Sequence, residues 1–298
     1  MREVDPEIKL VAVGGHPGNL EEWNETMLRI AGRHLDYIAP HHYDGVLTPG
    51  RGRKEDAYYA NVACSERILR TAATTARHLD EFLEDRPEAG VALDEWGIWT
   101  QTNVGLHQNY NLSDCLVAAA VLNGLQKLCR RVTMACWAQL VNVIGLIQAN
   151  ERAAWPTPVY HAFRLYGTLC GDLAVKSSVN CGAFDAPAAG DVLWRRIGPL
   201  EDVPLLNVSA TRDSEGGRFA IAVVNRHIRE DIGCELRLSG LPSGLRAKAY
   251  TLNGPDVFAF NTFQEPGAVS IAEKEIGGPY KSYAFPAHSV TLLMWYRS

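Results

Sequence analysis

The stretch VALDEWGIW at 91–99 decides how the first half of the chain is read. Its apolar start is rich in β-formers and short for a helix, and it ends on two carboxylates and two tryptophans. Working outward, similar short runs recur: KLVAVGG (9–15), closed by glycines, DYIAPHHY (36–43) and RVTMACWAQLV (131–141). Helical spacing separates them. EEWNETMLRIAGR sets Trp23, Met27 and Ile30 on one stripe, and a long helix is expected over roughly 56–84. NLSDCLVAAAVLNGLQKLCR repeats Leu112, Cys115, Leu116, Ala119, Leu122 and Leu125 at helical intervals, behind a polar run that supplies an N-cap. A last helix ends near Gly171, after a loop holding Pro156 and Pro158. Strands alternating with helices imply βα units and a parallel sheet.

After about residue 172 the pattern changes. AVKSSVN, DVLWRRI, LLNVSATRD, GRFAIAVVNR, CELRLSG, LRAKAYTLNG and SVTLLMWYR are short strands separated by turns, and RDSEGGRF suits a hairpin connection. Such a series indicates an antiparallel β-sandwich. The expected organisation is α/β over 1–171, then all-β over 172–298.

Composition narrows the function. Apolar residues make up 47% of the 298 and charged residues 21%, the balance of a globular chain and not of a disordered one. The net charge of −5, with signs mixed, argues against a nucleic-acid binder, which would carry a basic stripe. No apolar run of about 18 residues could span a membrane, and the charged start MREVDPEIKL does not read as a signal peptide. The seven cysteines are irregularly spaced and none forms Cys-x-x-Cys, so they read as buried free thiols in a reducing cytoplasm. No metal and no cofactor is expected.

The chemistry-bearing residues gather at strand ends, where α/β folds place catalytic groups. Asp94-Glu95-Trp96-Gly97-Ile98-Trp99 is the densest group. On a regular strand, neighbours point to opposite faces, so only one of Asp94 and Glu95 would face a pocket. Trp96 and Trp99 would form a wall on which sugar C–H groups stack. Pro40-His41-His42-Tyr43 ends another strand; consecutive histidines face opposite ways and cannot chelate one ion together. Gln139 and Asn142 could recognise hydroxyls or satisfy loop backbone. Gly14-Gly15-His16-Pro17-Gly18 lacks dinucleotide-binding spacing. Arg51-Gly52-Arg53-Lys54 reads as a solvated basic loop.

Taken together, VALDEWGIW, DYIAPHHYDG, MACWAQLVNVIG, AVVNRH and LNGPDVFAFNTFQEPGAV resemble glycoside hydrolase family 51, the α-L-arabinofuranosidases, over nearly the whole chain. The resemblance implies a (β/α)8 TIM barrel followed by a β-sandwich, and a retaining mechanism. It places the nucleophile on Glu95, at the end of the seventh barrel strand, and substrate contacts on Tyr43, with His41 beside it, and on Trp99 and Gln139. Asp44 stands where many members have an aromatic, which bears on leaving-group preference. The family's acid/base lies in an Asn-Glu motif after the fourth strand. The Asn-Glu at Asn24-Glu25 falls inside a helix, where the glutamate is expected on the surface; the pair recurs at Asn150-Glu151. The resemblance thus implies strands five to eight plus the sandwich, a form truncated before the acid/base. Release of terminal α-L-arabinofuranosyl residues from arabinan or arabinoxylan oligosaccharides is the implied activity, with a homo-oligomer when complete. The alternatives are another retaining glycosidase, acting on a β-glucan or xyloside, and a non-catalytic carbohydrate-binding remnant.

Overall fold

A computed structural model describes residues 1–45, 54–100, 106–192, 195–242, 244–277 and 281–297, with the side chains of 189–196 left aside. Arg51 and Arg53 lie outside the described residues; Lys54 pairs with Asp256.

Strands β1 (Val11–Val13), β2 (Tyr37–Ala39), β3 (His41–Asp44), β4 (Gly90–Leu93), β5 (Glu95–Ile98) and β6 (Val132–Ala135) alternate with helices α1 (Leu20–Ala31), α2 (Lys54–Val62), α3 (Cys64–Phe82) and α4 (Leu112–Lys127). Four strands form a parallel sheet in the order β1-β2-β4-β6. Beyond Pro40 and Asp94 the chain continues as a second parallel pair, β3 with β5. The expected βα alternation is therefore present. Register puts Ala12, Ile38, Val91 and Val132 on one face, where Ile38 and Val91 are fully buried in the main core.

The opposite face is open at its two edge strands. Val11 is 51%, Val13 61% and Met134 41% exposed. The run at 9–15, expected to be a buried strand, is instead the sheet's edge, bonded on one side only. Helix α1 also turns differently from its apolar stripe. Asn24 and Leu28 are buried, while Trp23 and Ile30 are exposed. The cause is polar: the Asn24 carbonyl accepts the Gly15 N–H at 2.8 Å and its amide donates to Thr75 Oγ1 at 3.2 Å. The Trp23 indole N–H lies along the edge and donates to the Val13 carbonyl. The long helix expected over 56–84 is two, α2 and α3, meeting at Ala63.

Helix α4 is apolar all round and buried on nearly every side, as a helix between two layers must be. Asn111 caps it: its side chain accepts the Asp114 N–H while Asp114 accepts the Asn111 N–H, a capping box. A short hairpin, β7 (Ile147–Ala149) with β8 (Ala154–Pro156), precedes α5 (Pro158–Leu169), which starts on proline behind a Thr157 cap.

The rest is β-structure: β9 (Leu173–Val175), β10 (Ala183–Ala186), β11 (Ala189–Val192), β12 (Arg195–Ile197), β13 (Leu200–Pro204), β14 (Leu206–Arg212), β15 (Arg218–Asn225), β16 (Ile232–Glu235), β17 (Arg246–Asn253), β18 (Ser270–Ile276), β19 (Ser282–Phe285) and β20 (Ser289–Tyr296). Six form an antiparallel sheet, β18-β17-β20-β15-β14-β9. The expected hairpin joins β14 to β15, with Gly216 at φ +73 in its turn. One face, with Ala222, Val224, Leu252, Val290 and Leu292, joins the core that α4 and α5 line. The other, with Ile221, Val223, Ala249, Leu293 and Trp295, packs with Phe285 and Ile232 of the β16–β19 pair. Strands β10, β13, β18 and β19 were not among those expected, and AVKSSVN contributes only β9.

Among the described residues no helix is long and apolar enough to cross a membrane. All seven cysteines are free, but only Cys64 and Cys115 are buried; Cys129 and Cys136 are exposed, which corrects the expectation of buried thiols.

Candidate active site

The strand carrying the DEW stretch is not regular. β4 stops at Leu93, β5 starts at Glu95, and Asp94 lies between them. That break overturns the expectation that Asp94 and Glu95 face apart. His41, in register with Glu95, has Nδ1 3.6 Å from Glu95 Oε2 and Nε2 3.3 Å from Asp94 Oδ1. Two successive carboxylates thus flank one imidazole, all three groups half-exposed.

Tyr43 lies two residues along β3, on the same face as His41. Its hydroxyl is buried without a well-formed hydrogen bond. Burial first, then the charges of Glu95 and Asp94, push its pKa far above the ordinary tyrosine value. The Trp99 ring meets Tyr43 edge-on, 5.8 Å between centroids, and its indole N–H is also unpartnered. Glu95, His41, Tyr43 and Trp99 therefore come together as one half-open group.

The alternate face of β3 turns inward. The expectation that His41 and His42 point apart holds: His42 is buried, with Nδ1 2.7 Å from Thr71 Oγ1. Asp44 is buried too and accepts a hydrogen bond from Arg67 Nε at 2.8 Å. It is held on the face of β3 opposite His41 and Tyr43.

Trp96 is not part of a sugar wall. It is fully buried, 5.1 Å from Trp137 and 5.9 Å from Phe163. Trp137 donates to the Ile144 carbonyl at 2.9 Å, and Tyr110 donates to the same oxygen at 3.1 Å. These rings pack together as one cluster. Gly97, at φ +131, is required there, since an added Cβ would lie 2.4 Å from the Trp137 ring.

Gln139 sits beyond the strand expected to carry it, because β6 ends at Ala135. It is exposed, and among the described residues no hydrogen bond or ion pair ties it to Glu95. Asn142, at φ +58, accepts the Ala149 N–H through its side chain and so serves loop backbone.

The remaining acidic groups near α1 are engaged elsewhere. Glu25 is half-exposed and pairs with Arg29, while its neighbour Asn24 is fully buried. Glu21, Glu25 and His78 bring ligand atoms within 4.8 Å of one another. Arg77 already stands among them, donating to Glu21 at 3.0 Å. His78 Nδ1 faces the Asn24 amide and its Nε2 faces Glu21. Nε2 also lies 3.1 Å from the Arg77 guanidinium, so a cation already stands where a metal would sit.

A carboxylate at the end of a parallel strand, beside a tyrosine hydroxyl and a tryptophan, supplies one of the two carboxyl groups that most sugar-cleaving enzymes use. The α-L-arabinofuranosidase C-terminal domain family matches residues 94–289, and the chain belongs to it, as the C-terminal part of a family 51 α-L-arabinofuranosidase. A probable α-L-arabinofuranosidase C of Aspergillus clavatus is 32% identical over 209 residues, 69% of this chain and 39% of that protein. The intracellular exo-α-(1→5)-L-arabinofuranosidase 1 of Bacillus subtilis is 24% identical over 286 residues, 90% of this chain and 54% of its own length. The α-L-arabinofuranosidase of Thermotoga maritima, solved with arabinose, superposes with a TM-score of 0.86 at 30% identity, over 98% of this chain and 58% of that one. The chain thus spans about half the length of the relatives it matches.

Proposed function

We propose that the chain carries the nucleophile of a retaining α-L-arabinofuranosidase, which releases terminal α-L-arabinofuranosyl residues from arabinan or arabinoxylan oligosaccharides. The observation that supports it most is Glu95 at a strand end, grouped with His41, Tyr43 and Trp99, in a chain whose relatives bear arabinofuranosidase names.

In this reading the Glu95 carboxylate attacks the anomeric carbon and displaces the aglycone. A second carboxyl group, about 5–5.5 Å away, protonates the leaving oxygen and then activates water. Glu25 does not suit that task, and the acid/base belongs to the part of the relatives' length that this chain does not span. The four parallel strands are then the second half of a (β/α)8 barrel over 1–171, and 172–298 the sandwich domain. Tyr43 orients the nucleophile, His41, Trp99 and Gln139 contact the sugar, and the complete enzyme is a cytoplasmic homo-oligomer.

The test uses an aryl leaving group that departs unprotonated. Dinitrophenyl α-L-arabinofuranoside should be cleaved, aryl β-glucoside and β-xyloside should not, and Glu95→Ala should be inactive until azide restores turnover with inverted configuration. Equal turnover by the parent and Glu95→Ala would overturn the assignment. Sugar binding with no cleavage of any aryl glycoside would favour a carbohydrate-binding remnant.

A further inference from the structure

We propose that Asp94 is a positioning residue: through His41 it fixes the Glu95 carboxylate and keeps an imidazolium against it. The proposal rests on the reading of Glu95 as nucleophile. Its basis is the break between β4 and β5, which brings a second carboxylate to an imidazole that the β3–β5 ladder already places opposite Glu95. Each ring nitrogen faces a carboxylate oxygen. A neutral imidazole has one N–H and can serve only one of them; the cation serves both. Asp94 Oδ1 is itself buried and makes no hydrogen bond, so the 3.3 Å contact with His41 Nε2 is the ion pairing it has among the described residues. The backbone that carries the ring is held, because the next residue, His42, is anchored to Thr71 on the far side of the strand. Among the described residues, Tyr43 of β3 is a further titratable group at this site, against Glu95 and Asp94.

The arrangement has a consequence for the reaction. When Glu95 Oε2 bonds to the anomeric carbon, the glycosidic bond breaks and the leaving oxygen takes the electron pair. Glu95 then becomes a neutral ester. His41 would be left as an unpaired cation if Glu95 were its only partner. Asp94 keeps it paired through both halves of the cycle, so the charge change at Glu95 costs less and its orientation survives from one turnover to the next.

Two measurements on the chain test this. The first is nitrogen NMR of the His41 ring near pH 7. Both ring nitrogens should carry protons in the parent, and Asp94→Asn should lose one of them. A single neutral tautomer in the parent, or an unchanged ring in Asp94→Asn, would overturn the proposal. The second is covalent labelling by a dinitrophenyl 2-deoxy-2-fluoro-α-L-arabinofuranoside, followed by intact mass. Here Glu95 gains the C1–O bond, dinitrophenolate leaves with its electrons, and no proton moves. Asp94→Asn and His41→Gln should each slow labelling about tenfold, the scale of one charge-assisted contact. The double variant should be no slower than His41→Gln, and Asp94→Glu should recover part of the rate. Losses that multiply in the double variant would mean that Asp94 acts without His41. If the parent takes no label, the nucleophile reading fails, and the ring protonation alone decides whether Asp94 governs His41.

Discussion

At Gly97 the backbone adopts φ +131 with the Trp137 ring where a Cβ would lie. Gly97→Ala should therefore destabilise the chain by about 2 kcal/mol or more, from backbone strain and a forced shift of the ring together; a denaturant midpoint equal to the parent's would contradict this. Tyr43→Phe removes a hydroxyl that lies against Glu95, and Gln139→Ala removes an exposed amide. Each should lower catalytic efficiency by roughly 5–100-fold if it touches the sugar or the nucleophile, with melting unchanged. Among the described residues, no hydrogen bond ties Gln139 to Glu95. Much of this site was legible from residue types at strand ends: His41, Tyr43, Glu95 and Trp99 do come together. What misled was strict alternation. It assumes an unbroken strand, and the break at Asp94 puts Asp94 beside Glu95 and sends Trp96 into the core. Asp44 was equally opaque, because its partner Arg67 lies 23 positions away, on helix α3.

Among the elements, α4 carries an unusual start. Asp114 is fully buried, and burial raises its pKa from 3.8 to about 6 despite hydrogen bonds from the Asn111 N–H and the Asn61 amide. An acid whose pKa is raised on folding binds more protons folded than unfolded between those values. Its contribution to stability is therefore present at low pH and lost as pH rises through about 4 to 6. The full effect is on the order of 3 kcal/mol. Asp114→Asn should remove this slope, so the variant's stability relative to the parent should rise between pH 4 and 6.5. Parallel stability curves would contradict it. Elements of this kind were readable where period and cap agreed, as in α4 with its Asn111 cap. Strands β18 and β19 were not. β18 is an edge strand whose sequence, SIAEKEI, leaves most side chains in water, so no apolar alternation marks it. The stripe of α1 misled for the opposite reason: hydrogen bonding by Asn24 outweighs the pull of Trp23 and Ile30 toward the core.

Across the whole molecule, buried polar groups join the helices to the antiparallel sheet. The Arg226 side chain is buried and donates to Glu66 at 2.7 Å, to Ser65 at 3.0 Å and to the Pro204 carbonyl at 3.2 Å. Arg226→Ala should cost about 3 kcal/mol, because it leaves Glu66 and the carbonyl without their cation. Loss of stability with no change in labelling at Glu95 would be the expected pairing of results. The parallel sheet, by contrast, ends on two open edges, β1 and β6, beside exposed Val11, Val13 and Met134. Such an edge invites pairing, so size-exclusion chromatography should show association; a monodisperse monomer would argue that the edges are protected. The long-range layout was legible in outline, as a parallel α/β half and an antiparallel half, because each carries its own period. That α4 and α5 share one core with the antiparallel sheet was not, since nothing local marks which faces meet. The claim on which the rest depends is that Glu95 attacks the sugar. Peptide mapping after incubation with a dinitrophenyl 2-deoxy-2-fluoro-α-L-arabinofuranoside tests it most directly: the label is expected on Glu95 and absent from Glu95→Ala, whereas a label on Asp94, or one that persists in Glu95→Ala, would contradict it.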